Sequence, residues 1–431
     1  MYTYTRQYQQ KIETDVLVVG SGSSGATAAI AAGIKGADVM LLERYGFMGG
    51  ISTQVLDTFY GFYTPGDKPR KVVGGVPDMI VDQLKQRKKA FERPNTYGAG
   101  TGVTYDPETL KYLWEQTALN SGVKLLYHTM VIDAIHEKDR VVGVVAATKK
   151  GLIRINANVI IDASGDADVA AAAGVEYEGE ADGPVQAMTT TFRLINVRTK
   201  RARKVSKDKL HNLMQKAAKS GKYDLPRKEG SVHVTPFEGV MATNMVRVSD
   251  IDGTDPEQLT RAEIEGREQA FEYARFLRDY VPGYKNADIS SLSTQIGIRE
   301  SRRIFGEYRL SREDVMSARK FDDAIGQCGA PMEDHHSGSD TKWQYLPEGE
   351  TYQIPYRCLI PKQMNGILVV GRCVSADHDA HASVRNMAQC MTMGQAAGVA
   401  AALSTREHKN VRDLSPSFLQ EQLRDIGAIL E

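Results

Sequence analysis

Three stretches of this 431-residue chain concentrate side chains able to move protons or hold anions. Asp377-His378-Asp379-Ala380-His381-Ala382-Ser383-Val384-Arg385 sets two histidines among carboxylates that could orient either ring, as a partner orients a catalytic base. Glu333-Asp334-His335-His336-Ser337 offers a second histidine pair. Adjacent residues of a strand face opposite ways, so at most one of His335 and His336 can serve a given site. Histidine titrates near neutral pH, and a base of that strength is what hydride removal from an alcohol or amine requires. A metal site would need a third, more distant ligand than Asp334, so none is assigned. The third stretch, Thr294-Gln295-Ile296-Gly297-Ile298-Arg299-Glu300-Ser301-Arg302-Arg303, is an anion clamp by composition, its guanidinium forks suited to a carboxylate. If helical, it brings Arg299 and Arg303 to one face, with Glu300 beside Arg303. The competing reading of all three stretches is structural: ion-pair networks, cofactor contacts and helix caps. Arg193, ending Met188-Thr189-Thr190-Thr191-Phe192-Arg193, is a weaker candidate, because the alternation there is mainly a strand signal.

The elements that must position these groups begin with the βαβ signature of residues 15–43. An apolar strand over 15–19 runs into Gly20, Gly22 and Gly25, a G-x-G-x-x-G turn, then an alanine-rich helix and a second apolar strand over 37–42 ending on Glu43. Gly20 suits the tight turn, Gly22 the close approach of a pyrophosphate, and Gly25 the packing of helix on strand. The free N–H groups at the helix start face the phosphates, and Glu43 stands where a ribose hydroxyl is met.

Further along, 78–92 and 106–121 read as helices and 123–127, 130–137, 140–148 and 152–156 as strands, with Val159-Ile160-Ile161-Asp162 as a separate buried strand. Alternating segments over 189–195, 231–235 and 244–248 suggest an antiparallel sheet, and 257–280 an amphipathic helix. Dinucleotide character returns with the strand over 366–370 and a small-residue helix over 391–403. A nucleotide domain built from both ends of the chain, with a substrate domain between, is the expected organisation.

Composition narrows the class. Hydrophobic residues make up 42% and charged residues 25%, as in a globular protein, and 54 Lys+Arg balance 54 Asp+Glu, which argues against nucleic-acid binding. Cys328, Cys358, Cys373 and Cys390 form no C-x-x-C pair, which excludes disulfide-reductase chemistry and suits buried thiols in a reducing compartment. No apolar run is long enough for a membrane span and the first residues lack a signal-peptide core, so the expected location is cytoplasmic.

Three ordered motifs resemble the glutathione-reductase-like FAD enzymes, and more narrowly the FAD-dependent oxidoreductases related to succinate and fumarate flavoproteins. They are Glu43-Arg44 followed by Gly49-Gly50 and Ser52-Thr53; Asp162-Ala163-Ser164-Gly165-Asp166; and Gly371-Arg372 with the downstream Gly394-Gln395-Ala396. The resemblance implies an α/β fold. It comprises a Rossmann-like FAD-binding domain (a parallel sheet with a three-stranded β-meander) from 1–60, 103–182 and 355–431, and an inserted α+β substrate domain with an antiparallel sheet over 183–354. Residues 61–102 form a loop and helix insertion. It implies FAD as cofactor, held by Gly20, Gly22, Ser24, Gly25, Glu43, Arg44, Gly49, Gly50, Ser52, Thr53, Val131, Ala163, Ser164, Gly165, Asp166, Gly371, Arg372, Gly394, Gln395 and Ala396. The helix carrying the last three would aim its positive end at the flavin N1–C2 edge.

His378, His381, Arg299, His335 and His336 are then the candidates for catalysis. The implied reaction is hydride transfer between FAD and a small polar substrate (alcohol or sugar, amine, or carboxylate), with an unidentified electron acceptor. Analogy alone suggests a homodimer. Two other classes share the fold: a thiazole-synthase-like biosynthetic enzyme, which would need Cys328, Cys358 or Cys373 as reactive thiol, and a non-catalytic flavin-binding subunit.

Overall fold

Four successive buried apolar residues, Val16–Val19, end the first strand, β1 (Gln10–Val19), and anchor the main sheet. The computed structural model describes residues 7–95, 98–335, 341–347 and 349–431. After the glycine turn comes α1 (Ser23–Ile34), whose small side chains are buried from Ser23 to Ala32, then β2 (Val39–Leu42). The strands β3 (Lys124–Leu126), β4 (Met130–Glu137), β5 (Arg140–Thr148) and β6 (Gly151–Asp162) complete a sheet of order β3-β2-β1-β6-β5-β4. Neighbours are parallel from β3 to β6 and antiparallel from β6 to β4.

Two predicted strands prove to be one. β6 runs unbroken through the polar Asn156-Ala157-Asn158, because that is where its neighbour changes. Residues up to Asn156 pair with β5, while those from Ile160 pair with a strand from the C-terminal part of the chain. Arg140 Nη2 donates to the Asn158 carbonyl in the gap (2.7 Å). Pairing to β1 continues on the other side.

The inserted part forms its own antiparallel sheet, order β8-β9-β7-β10, from β7 (Phe192–Ile195), β8 (Ser231–Val234), β9 (Met241–Asn244) and β10 (Asp288–Leu292). Against it lies α2 (Pro256–Tyr280), started by Asp255, whose carboxylate accepts from the Glu257 and Gln258 N–H groups, and by Pro256 at the first helical position. Phe192, Leu194, Met241, Tyr273, Phe276 and Leu277 belong to a core of their own. The strand expected over 244–248 lies earlier, over Met241–Asn244, and Val248 makes only an isolated bridge to Met188.

The expected domain boundaries shift. This second core ends by Ile298, whereas Leu310, Ile325, Met332, Tyr352 and Ile354 join the first core, so the chain has returned well before residue 355. Residues 61–102 are less loop-like than expected. Their helix, Val76–Gln86, buries Val76, Ile80 and Leu84 in the first core, and Ala90–Arg93 pairs with Gly102–Tyr105. The chain closes through β11 (Ile367–Val369), parallel to the end of β6, then α3 (His378–Val384) and α4 (Met387–Glu407). No helix among the described residues is long and apolar enough to cross a membrane.

Candidate active site

A cavity of about 280 Å³ opens over the C-terminal ends of β1, β2 and β6, bordered by Val19, Leu42 and Ala163. Ligands of open α/β sheets bind at such strand ends. The cavity continues to the inserted unit, which contributes Thr189, Asn244 and Gly297, and beside them it is lined by Arg299, Glu333 and His335 together with Arg385 from the turn before α4.

Its first end is made of backbone. Gly20 has φ +91°, and a Cβ there would stand 2.6 Å from the Ala163 carbonyl oxygen. A Cβ on Gly25 would collide with the Gly20 carbonyl, so Gly25 sets how closely α1 approaches its own turn. Gly22 caps α1 without a side-chain hydrogen bond, and no acid occupies the first turn. The first N–H groups of the helix and its positive end therefore remain open to an anion. The buried Glu43 accepts from Ser21 N (2.9 Å), Ser21 Oγ (2.6 Å) and Tyr45 N (3.0 Å). Gln54 Oε1 borders the cavity, buried and without a hydrogen-bond partner among the described residues. An uncapped helix terminus, a glycine cradle and an unmatched acceptor fit a dinucleotide cofactor.

Asp166, Ser301 and Arg372 tie the two units together. Arg372 donates to Asp166 Oδ1 and Ser301 Oγ at 2.7 Å each, and Ser301 Oγ donates to Asp166 Oδ1 at 2.7 Å. Burial alone would raise the Asp166 carboxyl, but Arg372 and Ser301 outweigh it and hold it below the usual range. Its neighbour Asp168, pushed up by burial and by the charges of Asp166 and Asp162, stands at about 6.

The predicted cofactor residues divide by position. Gly20, Gly22, Ser24, Glu43, Arg44, Gly50, Val131, Ala163, Ser164, Gly165, Asp166 and Arg372 line the cavity. Gly25, Gly49, Ser52, Thr53 and Gly371 stand behind the lining. Gly49 bridges Gly22, the Ser52 and Thr53 hydroxyls donate to the Gly49 and Met48 carbonyls, and a Cβ on Gly371 (φ +84°) would meet Ser24 Oγ. Gly394, Gln395 and Ala396 are a correction. α4 begins at Met387, so its open end carries Asn386, Met387 and Cys390 into the lining instead. Gly394 lets α4 press on the Ser24 carbonyl of α1, while the Gln395 side chain bonds Gly74 O and Val76 N. The small-residue signal there is one of helix packing.

The second end is made of side chains, and the clamp segment is not helical as expected. Gly297 exchanges backbone hydrogen bonds with Thr189, and residues 296–302 form no helix. Arg299 turns to the cavity while Glu300 turns away into the protein. Arg299 Nη1 donates to the Ala187 carbonyl. His335 donates from Nε2 to Glu333 Oε1 (2.8 Å) and accepts at Nδ1 from the Thr341 hydroxyl (3.1 Å). Burial, reinforced by Arg299, lowers His335, so its ring is neutral at pH 7. Burial opposes the Glu333 charge, but His335, Arg385 and Arg299 outweigh it, and this carboxylate stays ionised.

The other histidines depart from expectation. His378 lies outside the lining, between Asp334 and Glu300 (Nδ1 to Glu300 3.1 Å), and hydrogen bonds to that pair raise it to about 9. It is a cation at neutral pH, not a free base. His381 is fully buried and donates from Nε2 to the Arg372 carbonyl (2.7 Å); burial pushes it down to about 3. It positions the Gly371-Arg372 turn. His336 lies outside the described residues. Sequence reasoning missed Glu333 and Arg385 as site residues, although both stand in the stretches that drew attention. Cys328, Cys358 and Cys373 are each buried outside the lining, and burial raises all three thiols.

The sequence matches the family model described as FAD dependent oxidoreductase over residues 15–423. Among curated proteins it is 29% identical over 188 residues to the thiamine thiazole synthase of Methanococcus vannielii, covering 39% of this chain and 66% of that protein. It is 41% identical over 73 residues to the acrylate reductase flavoprotein subunit of Shewanella woodyi, covering 17% and 14%. Each match takes in less than two thirds of the relative's length. Among solved structures, the geranylgeranyl bacteriochlorophyll reductase-like protein of Thermoplasma acidophilum is similar over 96% of this chain and 83% of its own, with 14% identity and a TM-score of 0.47. The chain therefore belongs to the family of FAD dependent oxidoreductases: it is an enzyme, and its cofactor is FAD.

Proposed function

We propose that this enzyme exchanges a hydride between bound FAD and a small polar substrate seated at the inserted unit's end of the cavity. The observation that carries the reading is continuity: one cavity joins the glycine turn and open end of α1 to Arg299, Glu333 and His335. FAD, when bound, supplies the two-electron redox chemistry; the residues supply binding and orientation. Arg299 holds anionic or carbonyl oxygen on the substrate through its fork. A substrate hydroxyl or amine donates its hydrogen bond to the Glu333 carboxylate, whose Oε1 is held by His335 Nε2. This pair orients the substrate at the place where the sequence offered a lone histidine base. The same three motifs support kinship with the glutathione-reductase-like flavoproteins related to succinate and fumarate enzymes.

The test is an anaerobic titration of the FAD-loaded enzyme with alcohols, sugars, amines and carboxylates. The expected result is bleaching of the flavin band near 450 nm (a rough value for oxidised flavins) by one substrate class. Arg299→Gln is expected to lower that substrate's kcat/KM by about 30-fold or more while FAD stays bound, as for loss of one partner in a buried charge pair. A flavin that no class reduces, or an Arg299→Gln enzyme of full activity, would overturn the reading.

A further inference from the structure

One side of α2 is fully used. It buries Ala270, Tyr273, Phe276 and Leu277 in the second core, and its polar groups there hold segments that lead to the cavity. Glu263 Oε1 accepts from the Ile296 N–H (2.7 Å), and the Gln269 side chain exchanges hydrogen bonds with the Arg247 backbone. The outer side is different. Ile264 is 50% exposed and Phe271 59%, the latter the most exposed large apolar side chain among the described residues. Single exposed apolar residues are ordinary on a protein surface, so it is their placement that carries information.

Glu257, Ile264, Phe271 and Arg278 recur every seven residues and form one line along the helix, drifting by only about 20° per step. The line runs acid, apolar, apolar, base. From the other end it runs base, apolar, apolar, acid. A second copy of α2 laid antiparallel therefore sets Glu257 against Arg278 and Ile264 against Phe271, each twice by symmetry. The midpoint falls between the exposed Arg267 and Glu268, so each of these faces the other's charge on the second copy. In this alignment no exposed residue of α2 meets one of its own sign. A parallel pair would oppose like charges, and a slide of seven residues would put a charge on an apolar side chain.

We propose that the outer face of α2 is the contact surface of a symmetric homodimer, packed antiparallel on the same face of a second copy of this chain. A twofold interface requires one patch to be complementary to itself, and this line of residues is. Ile264 and Phe271 supply the apolar centre, while the exposed ion pairs fix direction and register more than strength. One helix pair is a small interface, so the dimer is a weak one, dissociating in the range of about 1–100 µM. None of this depends on which substrate the cavity takes.

The experiment is sedimentation velocity of the FAD-loaded enzyme and its variants across that concentration range, with far-UV circular dichroism to check folding. The wild type is expected to pass from monomer to dimer as concentration rises, and Phe271→Lys to stay monomeric. Glu257→Arg and Arg278→Glu each oppose like charges at both ends of the pair, and each should weaken the dimer at least about tenfold. Mixed one to one, these two variants should recover dimerisation, because the mixed dimer opposes unlike charges at both ends. The double variant E257R/R278E should recover it for the same reason. Glu268→Cys, beside the twofold axis, should yield a covalent dimer with a short thiol cross-linker, since the four native cysteines are buried.

A wild type that stays monomeric to the top of the range overturns the proposal, and so does a dimer that Phe271→Lys leaves intact. Charge variants that weaken the dimer singly but fail to recover on mixing overturn the antiparallel pairing. Should the charge variants not fold, the cross-link decides, and absence of a covalent dimer from Glu268→Cys overturns the assignment.

Discussion

The two ends of the cavity are made of different material. Around Gly20, Gly22 and Gly50 the wall is backbone: turns at positive φ, an uncapped helix terminus and carbonyls packed against glycine. Around Arg299, Glu333, His335 and Arg385 the wall is charged side chains brought from three separate stretches of the chain. A backbone wall tolerates little added bulk but is indifferent to many side-chain identities. A side-chain wall behaves the other way round. A cofactor that stays bound through every turnover suits the first kind, and a substrate chosen by charge suits the second.

The comparison breaks most visibly at Gly25. A methyl group there has no room against the Gly20 carbonyl, so α1 must move away from its turn and carry its first N–H groups with it. Gly25→Ala is expected to purify without flavin and to lose about 1–3 kcal/mol of stability, the usual cost of overpacking. Flavin content after gel filtration and a urea melt read the two effects. A Gly25→Ala protein that keeps stoichiometric FAD would show that the backbone does not control this end. The Arg299→Gln variant is the mirror experiment, because it should keep its flavin and lose its hold on the substrate.

This contrast also explains what the sequence made legible. Glycines at fixed spacing report a backbone shape directly, so the turn at Gly20 to Gly25 and the acid at Glu43 could be read without a structure. Side chains report only what they could do. The sequence singled out the stretch containing Arg299, but the helical spacing does not hold, because Gly297 pairs its backbone with Thr189 and the stretch forms no helix. That pairing joins residues more than a hundred positions apart, and no local pattern encodes it. The histidines misled for a related reason. His378 and His381 look like bases in the sequence, yet Glu300 and Asp334 charge the first while burial neutralises the second. Gly394 was read as a cofactor residue because small residues serve helix packing and phosphate binding alike.

Smaller in effect is the cluster behind the inserted end, which should announce itself through pH. The His378 pKa is raised from 6.5 to about 9 in the folded protein. A raised base binds its proton more tightly when folded, so its contribution is fully present below about pH 6.5 and is lost as pH rises through about 9. With His378 partly exposed, the expected loss of stability across that window is about 2 kcal/mol, below the full value of the shift. Urea midpoints at pH 6 and pH 9.5 measure it, and His378→Gln should flatten the difference. If the midpoint of the wild type is the same at both pH values, the cation at His378 does not hold Glu300 and Asp334 together.

The smallest effect sharpens the comparison furthest, because it concerns a charged side chain at the backbone end. Arg44 lines the cavity but is solvent-exposed; its Nη2 donates to Gln295 Oε1 at 3.2 Å, and its guanidinium lies 5.0 Å from the Tyr45 ring. An exposed cation of this kind contributes about 0–1 kcal/mol. Arg44→Ala is therefore expected to weaken FAD binding by no more than about fivefold, and to leave turnover unchanged at saturating FAD. Reconstitution of the flavin-free protein with increasing FAD measures the first, and steady-state rates the second. Loss of a charge at the inserted end should cost far more than loss of one here, although both arginines border the same cavity. If instead Arg44→Ala removes the flavin as completely as Gly25→Ala, then charge rather than backbone shape holds the dinucleotide, and the division between the two ends fails.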